Sequence, residues 1–159
     1  MNIRRFEQKD AGAVSALIVR TLMITNTKDY SPESMAELAA RQQPADILER
    51  AGITHFYVAE DEGRIVGCGG VSPVGEAEDE CGLLNIFVLP EYQGRGIGRM
   101  IVETLEKDEF AWKKSRISLS ASITGLAFYR RLGYDFRDGH TEPDENMLYK
   151  MVKETRGGS

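Results

Sequence analysis

The sequence predicts a mixed α/β fold in which helices flank a central sheet. Segments with the apolar patterns of strands lie before, between and after segments with helical periodicity. In mid-chain, the apolar run at residues 83–88 passes through a glycine-rich turn straight into an amphipathic segment that opens at Met100. The chain of 159 residues carries no repeat and no internal linker. We therefore expect one domain over residues 1–156, followed by a frayed tail at residues 157–159.

Six elements are predicted before the central strand, and polar residues or prolines mark the helix starts. Asp10 is expected to cap the first helix, Ser31 followed by Pro32 opens the second, and Pro44 opens the third. The turn at residues 61–63 ends in glycine and predicts a hairpin. In chain order the elements are a strand at residues 2–6, a helix after residue 10, helices at residues 31–41 and 44–52, and strands at residues 55–60 and 64–71.

The second half of the chain continues the alternation of strands and helices. An acidic loop precedes the central strand, and a polar loop precedes the last strand. In chain order the predictions are the acidic loop at residues 75–80, the central strand at residues 83–88, the helix from Met100, a strand at residues 117–120, a helix at residues 124–132, a strand at residues 134–137, the polar loop at residues 140–145 and a last strand at residues 146–152.

Three glycines at every second position join the central strand to the next helix: Gly94, Gly96 and Gly98, with Arg95 and Arg99 beside them. Such a turn presents free backbone N–H groups and the positive end of the helix dipole. These features predict a pocket for a phosphate or pyrophosphate. Two familiar phosphate motifs fit poorly. The P-loop requires Gly-Lys-Ser/Thr where this chain has Ile-Gly-Arg, and the dinucleotide fingerprint expects an early strand and another glycine spacing.

A third pattern fits well. Gln93-x-x-Gly96-x-Gly98, after a strand that ends Phe-Val-x-Pro-Glu-Tyr, resembles the coenzyme A loop of the GNAT family of N-acetyltransferases. Downstream, residues 125–134 read Gly-Leu-Ala-Phe-Tyr-Arg-Arg-Leu-Gly-Tyr and resemble that family's second signature, a helix that carries Phe-Tyr and ends at Gly-Phe or Gly-Tyr. The two motifs stand in the family's order and separation. The resemblance implies a mostly antiparallel sheet with one splayed parallel pair of strands.

The resemblance also implies acetyl-CoA as co-substrate and no metal ion. In that family the pantetheine arm lies between the splayed strands like an added strand. Carried over by position, the main chain of the central strand would hold the pantetheine and polarise the acetyl carbonyl, and the N–H groups of the loop would bind the pyrophosphate. The residues predicted to bind the cofactor are Ile86, Phe87, Val88, Gln93, Gly94, Arg95, Gly96, Ile97, Gly98, Arg99, Ser122 and Tyr129.

Tyr129 matches the family tyrosine near the sulfur of coenzyme A, which implies a role as general acid for the leaving thiolate. Two positions depart from the family pattern. Ser122 replaces an asparagine that touches the cofactor, and Gly82 replaces a glutamate that acts as general base in many members. Glu80, just before the central strand, is the candidate base in its place. The alternatives that remain open are a water relay to bulk solvent, Asp79, His55 and, through a water molecule, Asn85.

The implied reaction is direct attack of a primary amine of a small molecule on acetyl-CoA within a ternary complex. The family's acceptor enters between the first helices and the loop before the last strand. The candidate acceptor contacts are Asp29, Tyr30 and Asn85, and acidic groups at residues 140–145 would suit a cationic amine; two solvated loops explain the same residues equally well. A protein or peptide acceptor, a non-catalytic acetyl-CoA sensor and a nucleotide-binding protein are the alternative functions.

Composition and charge weigh against several classes of protein. No apolar run approaches the ~18 residues of a membrane span, and residues 1–7 have no hydrophobic signal core. A net charge of −5 argues against a general nucleic-acid binder. Cys68 and Cys81 fall in or beside predicted strands, which indicates buried thiols in a reduced cytoplasmic setting. Dimers are common in the resembled family, so a homodimer is one of the two expected states, beside a monomer.

Overall fold

The computed structural model describes residues 1–155, which form a seven-stranded sheet flanked by helices. The strands are β1 (Asn2–Arg5), β2 (His55–Asp61), β3 (Arg64–Ser72), β4 (Glu80–Val88), β5 (Arg116–Ala121), β6 (Asp135–Phe136) and β7 (Tyr149–Glu154). Their order in the sheet is β1-β2-β3-β4-β5-β7-β6. Neighbouring strands are antiparallel except β4 and β5, which are parallel. The predicted mixed, mostly antiparallel sheet is therefore confirmed. The tail expected at residues 157–159 lies outside the described residues.

The first three helices lie where the capping residues and prolines predicted. The helix predicted from Met100 begins at Ile97, and a short helix at Glu109–Trp112 was not predicted. The helices are α1 (Ala11–Ile24), α2 (Pro32–Ala40), α3 (Pro44–Ile53), α4 (Ile97–Lys107), α5 (Glu109–Trp112) and α6 (Leu126–Arg131). Ser31 caps α2 as predicted, because its hydroxyl oxygen accepts a hydrogen bond from the N–H of Ser34 (3.1 Å). Asp10 makes no such cap on α1. Its carboxylate instead accepts hydrogen bonds from the Arg4 guanidinium and the N–H of Glu7.

The helix α4 lies close against the sheet, because β3 has glycine at two positions beneath it. A Cβ atom on Gly67 would stand 2.8 Å from Cδ1 of Ile101, and one on Gly69 would stand 2.8 Å from Cγ2 of the same side chain. Ile101 is fully buried. Cys68, between the two glycines, and Cys81 are buried free thiols, as predicted. This close packing fixes the position of α4 beside β4, with which it is also in contact.

The strands β4 and β5 pair over three residues and then separate, which is the splayed parallel pair that was predicted. The paired residues are Glu80 with Arg116, Cys81 with Ile117 and Gly82 with Ser118. Beyond them, β4 continues to pair with β3 and β5 continues to pair with β7. One edge of each strand is therefore open to the gap between them.

A β-bulge in β4 lies at the point where the strands diverge. Cys68 of β3 pairs with Phe87 and Gly70 pairs with Leu84, so β4 has one residue more than β3 between these pairs. Asn85 lies in the bulge with φ +51°, in the left-handed region. Because a bulge bends its strand and increases the local twist, this one accounts for the divergence of β4 from β5.

Two strand boundaries differ from the prediction for local reasons. Glu80 was assigned to the acidic loop but is the first residue of β4, where its buried carboxylate meets Arg116 and Arg137. The last strand begins at Tyr149 rather than at residue 146, because the Asp144 carboxylate accepts hydrogen bonds from the N–H groups of residues 146 and 148 and holds that segment in a turn. Within residues 1–155, no helix is long and apolar enough to cross a membrane.

Candidate active site

A cleft of about 720 Å³ opens where β4 and β5 separate. It extends from the first turn of α4, along the gap between the strands, to the C-terminal half of α1. The residues predicted to bind the cofactor line this cleft, with the exception of Arg95. Those that line it are Ile86, Phe87, Val88, Gln93, Gly94, Gly96, Ile97, Gly98, Arg99, Ser122 and Tyr129.

At one end of the cleft, the start of α4 offers unpaired backbone N–H groups. Gly94 and Gly96 have φ values of +79° and +82°, which glycine adopts without strain. The first hydrogen bond of α4 runs from the N–H of Met100 to the carbonyl oxygen of Gly96 (3.1 Å). The N–H groups of residues 97–99 therefore have no acceptor within the helix. Together with the positive end of the helix dipole, they favour an anionic group at this point.

The two arginines of the turn point in different directions. The guanidinium of Arg95 lies over the ring of Tyr92, 4.8 Å from its centroid, and donates a hydrogen bond to the carbonyl oxygen of Glu91. Arg99 lines the cleft, and its Nε donates to Glu103 (3.4 Å). The side-chain charge that the sequence predicted at this end therefore comes from Arg99 and not from Arg95.

Gly98 is required by the packing of α6 against α4. A Cβ atom on Gly98 would stand 3.0 Å from Cζ of Phe128, which is tighter than most Cβ contacts. Phe128 precedes Tyr129 on α6. The tight contact at Gly98 is therefore with another helix, α6. The missing side chain of Gly98 lets α6 approach the first turn of α4, which places Tyr129 at the cleft.

The side chain of Gln93 ties the glycine-rich turn to two other elements. Its Nε2 donates hydrogen bonds to the carbonyl oxygen of Val88 (3.1 Å) and to the hydroxyl of Thr25 (3.2 Å). Val88 ends β4, and Thr25 follows α1. Gln93 thereby fixes the turn relative to both walls of the cleft.

The open edge of β4 presents the main chain of Ile86 and Val88 to the gap. Leu89 donates its N–H to the carbonyl oxygen of Val66 on β3 (2.9 Å). Because main-chain groups alternate between the two edges of a strand, Phe87 also faces β3, whereas Ile86 and Val88 face β5. The carbonyl oxygen of Val88 already accepts from Gln93. Of the three predicted strand residues, two therefore offer backbone groups to the gap.

Tyr129 and Ser122 lie on the opposite wall of the cleft. The hydroxyl oxygen of Ser122 accepts a hydrogen bond from the N–H of Gly125 (3.2 Å) and caps the turn that leads into α6. The ring of Tyr129 packs over Gly125, where a Cβ atom would stand 3.3 Å from Cε2. Burial raises the pKa of Tyr129 well above the ordinary value for tyrosine. Within residues 1–155 its hydroxyl has no protein hydrogen-bond partner, so it is available to a bound molecule.

Glu80 and His55, two of the candidate general bases, make their contacts outside the cleft. Glu80 is at the start of β4, remote from the bulge, where the Arg137 guanidinium donates to its carboxylate. Burial acts to raise the pKa of Glu80, but the hydrogen bonds with Arg137 and with the N–H of Ala77 outweigh it and lower that pKa. Nδ1 of His55 lies 2.8 Å from Oδ1 of Asp108. Neither side chain lines the cleft.

Two of the three predicted acceptor contacts are instead part of a connection between loops. Asp29 accepts a hydrogen bond from the loop between β5 and α6. The hydroxyl of Tyr30 donates to the carbonyl oxygen of Met147 (2.7 Å) and accepts from the N–H of Ile123 (2.8 Å). These bonds tie the segment after α1 to the loop between β5 and α6 and to the loop before β7. The third predicted contact, Asn85, does line the cleft.

Several lining residues were not predicted, and their charges differ from the expectation. At the acceptor end these are Thr21 and Gln42, and at the other end Arg131. Thr25 and Asn26 also line the cleft, and they lie in the segment after the first helix that was expected near the acceptor. The four-residue spacing of Thr21 and Thr25 on an otherwise apolar stripe of α1 was the available signal. Among the residues that the structure describes, no Asp, Glu or His lines the cleft. The acidic residues at 140–145 therefore contribute no lining side chain.

Comparisons with known proteins agree with this geometry. A family model described as "Acetyltransferase (GNAT) domain" matches residues 52–135. The protein named Uncharacterized N-acetyltransferase YafP of Escherichia coli K12 is 26% identical over 134 residues, which covers 84% of this chain and 81% of that protein. Glucosamine 6-phosphate N-acetyltransferase of Trypanosoma brucei brucei is 29% identical over 123 residues, covering 70% of this chain and 78% of the relative. The chain spans 64% of the length of Uncharacterized N-acetyltransferase YjgM of Escherichia coli K12, at 27% identity over 106 residues.

Solved structures share the fold at low sequence identity. The PaiA N-acetyltransferase from Thermoplasma acidophilum, in complex with coenzyme A, has a TM-score of 0.82 and 17% identity, covering 97% of this chain and 98% of that one. YncA of Salmonella typhimurium, with its cofactor acetyl-CoA, has a TM-score of 0.65 and 19% identity, covering 97% of this chain and 93% of that one. At sequence identities this low, the similarity shows that the arrangement of helices and strands is shared.

Proposed function

The chain belongs to the GNAT acetyltransferase family, and from that premise we propose that it moves the acetyl group of acetyl-CoA to a primary amine of a small molecule, by direct attack within a ternary complex. One observation carries the proposal. The gap between β4 and β5, the unpaired N–H groups of α4 and the hydroxyl of Tyr129 all belong to one cleft. Acetyl-CoA, when bound, supplies the acetyl thioester. Binding, orientation and proton transfer fall to the residues of this chain.

The cleft has the groups that coenzyme A needs. The N–H groups of residues 97–99 suit its pyrophosphate, and the side chains of Arg99 and Arg131 add positive charge at that end. The main-chain groups of Ile86 and Val88 suit the amides of the pantetheine arm, which would pair with the open edge of β4. The coenzyme A and acetyl-CoA in the PaiA and YncA structures support the same use of the shared fold.

Tyr129 acts as the general acid in this proposal. A thiol has a pKa of about 8.5, so the departing sulfur of coenzyme A gains from receiving a proton. Because burial raises the pKa of Tyr129, its hydroxyl stays protonated at neutral pH and can donate. Its hydroxyl has no competing protein acceptor within the described part of the chain. A positioned general acid contributes roughly 10²–10⁴-fold to rate.

The proton of the attacking amine leaves through water. With neither Glu80 nor His55 at the cleft, no lining carboxylate or imidazole of residues 1–155 can accept it. The polar groups of Thr21, Thr25 and Asn26 can hydrogen-bond such water molecules. The enzyme would therefore use the fraction of the acceptor that is already neutral, and its rate would depend on the pKa of that amine.

The closed acceptor end favours a small molecule over a protein chain. The hydrogen bonds of Tyr30 with Ile123 and Met147 join three loops beside this end of the cleft. A protein substrate would need an open groove there for its backbone. A free amine of low mass can enter without separating these loops.

The deciding experiment measures thiol release from acetyl-CoA by the wild type, by Tyr129→Phe and by Tyr149→Phe. Tyr149 also packs against an aromatic ring but does not line the cleft, so it is the matched control. We expect release with at least one small amine, a kcat reduced about 10²-fold or more in Tyr129→Phe, and coenzyme A affinity and Tyr149→Phe activity close to wild type. Tight coenzyme A binding without release for any small amine or N-terminal peptide would favour a sensor. Release with peptides alone would favour a protein acceptor.

A further inference from the structure

The charges around the acceptor end of the cleft are unlike those that a cationic substrate would need. The lining side chains that carry charge are Arg99 and Arg131, both positive and both toward the coenzyme A end. The acceptor end is lined by neutral polar groups of α1 and β4 and by leucines. Among residues 1–155 no lining carboxylate offsets a positive substrate there. A polyamine would bring several charges into a cleft that has only positive ones.

A half-buried arginine, Arg50 of α3, lies behind the lining residues Gln42 and Asn85. Its Nη1 donates a hydrogen bond to Oε1 of Gln42 (2.6 Å) and a longer one to Oδ1 of Asn85 (3.4 Å). Its Nη2 donates to the carbonyl oxygen of Arg41 (2.9 Å). Gln42 and Asn85 both line the cleft. The guanidinium is therefore one side chain away from the acceptor.

All the partners of Arg50 are neutral oxygens, which sets it apart from comparable arginines. Arg4 is half-buried against Asp10, and Arg137 is half-buried against Glu80. For Arg50, no carboxylate oxygen of residues 1–155 lies within 4.0 Å. A positive charge that is partly removed from water is costly unless a negative group balances it. The missing negative group can be part of the substrate.

Asn85 connects this charge to the cleft. Because its Oδ1 accepts from Arg50, its Nδ2 points away from the guanidinium. Among the described residues that nitrogen has no protein acceptor. It offers two N–H donors to the cleft, from a bulge that fixes the backbone of Asn85 at φ +51°. An amide whose oxygen faces a cation is a stronger donor on its other side.

We propose that the acceptor carries an anionic group, a carboxylate or a phosphate, close to its primary amine, and that Arg50 with Gln42 and Asn85 selects for that group. The inference rests on the proposed function and narrows its substrate class. Arg50 is a specificity-determining residue that acts through Asn85 and through the field of its own charge. It takes no part in the transfer of the acetyl group.

The test compares acceptors in pairs that share an amine and differ in an anion. The pairs are an amino acid with its carboxamide, and ethanolamine with O-phosphoethanolamine; spermidine is the cationic probe. Rates are compared at equal concentrations of neutral amine, so that the pKa of the amine does not decide the result. We expect kcat/KM to be at least about tenfold higher for the anionic member of one pair, and turnover of spermidine to be lowest. The pair that responds identifies the carboxylate or the phosphate.

Three variants then assign the effect to the guanidinium. Arg50→Gln should remove the preference for the anionic member, because KM for that member rises more than KM for the neutral member. Arg50→Lys should keep part of the preference, because it keeps the charge without the planar hydrogen bonds. Arg41→Gln is the control, because this neighbouring arginine contributes only its main-chain carbonyl to the cluster. Melting temperature and coenzyme A affinity, measured on each variant, report the folded fraction.

Three outcomes would overturn the inference. Equal turnover of both members of each pair by the wild type would do so without any variant. An Arg50→Gln variant that loses activity equally with all acceptors would indicate a structural link between α2 and α3. Absence of thiol release with every acceptor would contradict the proposed function itself, and this inference with it, whereas release that is indifferent to acceptor charge would contradict this inference alone.

Discussion

In the proposed mechanism, the hydroxyl of Tyr129 and the absence of a lining base among residues 1–155 together set how the rate should respond to pH. Burial raises the pKa of Tyr129 above the usual value of 10.0, so the acid stays protonated through the alkaline range. No lining side chain within residues 1–155 titrates as a base near neutrality. We therefore expect kcat/KM to rise about tenfold per pH unit until it reaches the pKa of the acceptor amine, and to show no descending limb up to about pH 10.

Rate profiles with two acceptors of different amine pKa would check this expectation. The midpoint should move with the acceptor. A midpoint near pH 6–7 that is the same for both acceptors would instead identify a general base on the protein, and the water relay would then be wrong.

Glu80, the candidate base of the sequence analysis, is paired with two arginines in the structure. Its partners, Arg116 and Arg137, lie 36 and 57 residues further along the chain. The sequence around Glu80 therefore does not indicate these ion pairs. The same holds for Asp29 and Tyr30, whose partners lie 95 and 93 residues away. The sequence indicated that these residues are polar and near the site, but the partners that satisfy them are set by the tertiary fold.

We expect Glu80→Gln to destabilise the fold by about 3 kcal/mol, because it leaves two arginines without their buried partner. The pKa of Glu80 is lowered in the folded state from its usual 4.5. The stability from this ionised carboxylate is therefore present above that value and is lost as the pH falls through the lower, folded-state pKa. The variant should lack this part of the acid dependence.

Denaturant unfolding of wild type and variant between pH 3 and pH 7 would measure both effects. Glu154→Gln is the matched control, because Glu154 pairs with the same Arg116 at an exposed position; it should change stability by less than about 0.5 kcal/mol. The activity per folded molecule should stay at the wild-type level in both variants. A Glu80→Gln variant that is folded but inactive would instead indicate that Glu80 is the general base.

At the level of elements, the strand, turn and helix around the glycines could be predicted because each has its own periodicity. Apolar residues at 83–88, glycines at every second position and an amphipathic run after them specify β4, the turn and α4 without reference to the rest of the chain. The bulge at Asn85 could not be predicted in this way. A single residue with positive φ inside an apolar strand does not change the apolar periodicity of the sequence. The gap between β4 and β5 depends on this bulge.

Two glycines of the turn should respond differently to alanine. In Gly96→Ala the new Cβ would meet nothing within 4 Å, but the backbone has φ +82°, so strain alone should cost about 1–2 kcal/mol. In Gly98→Ala the new Cβ would meet Phe128 at 3.0 Å, which should displace α6 and Tyr129. Both variants should weaken coenzyme A binding by about tenfold or more, and Gly98→Ala should also lower kcat.

Calorimetric titration with coenzyme A, together with the thiol-release assay, would separate the two effects. Gly12→Ala on α1 is the control, because its Cβ would meet nothing within 4 Å and its φ is ordinary. That substitution should leave binding unchanged and stabilise the helix by up to about 1 kcal/mol. Unchanged coenzyme A affinity in Gly96→Ala would mean that the turn does not bind the pyrophosphate.

Over the whole molecule, the two halves of the cleft come from different parts of the chain. The family model matches residues 52–135, which supply the gap in the sheet, the start of α4 and Tyr129. The acceptor end adds Thr21, Asn26 and Gln42 from before that range and Leu148 from after it. Under the proposed function, the residues matched by the family model would supply most of the coenzyme A half, and segments outside the match would contribute to the choice of acceptor.

This division predicts how ligands should stabilise the protein. Coenzyme A would contact β4, the start of α4 and α6 at once, so it should bind the folded state alone. At 100 times its Kd it would stabilise that state by about 2.7 kcal/mol, which for a chain of this size corresponds to a rise in Tm of about 5–10 °C. ATP shares the adenosine and phosphates but lacks the pantetheine arm that would lie along Ile86 and Val88. The rise in Tm with ATP should therefore be clearly smaller than the rise with coenzyme A at equal concentration.

Hydrogen exchange with coenzyme A present should slow at residues 86–88 and 97–99 more than in α2 and α3. An equal shift with ATP would place the binding energy in the phosphate turn alone and would favour a nucleotide-binding protein over an acetyltransferase.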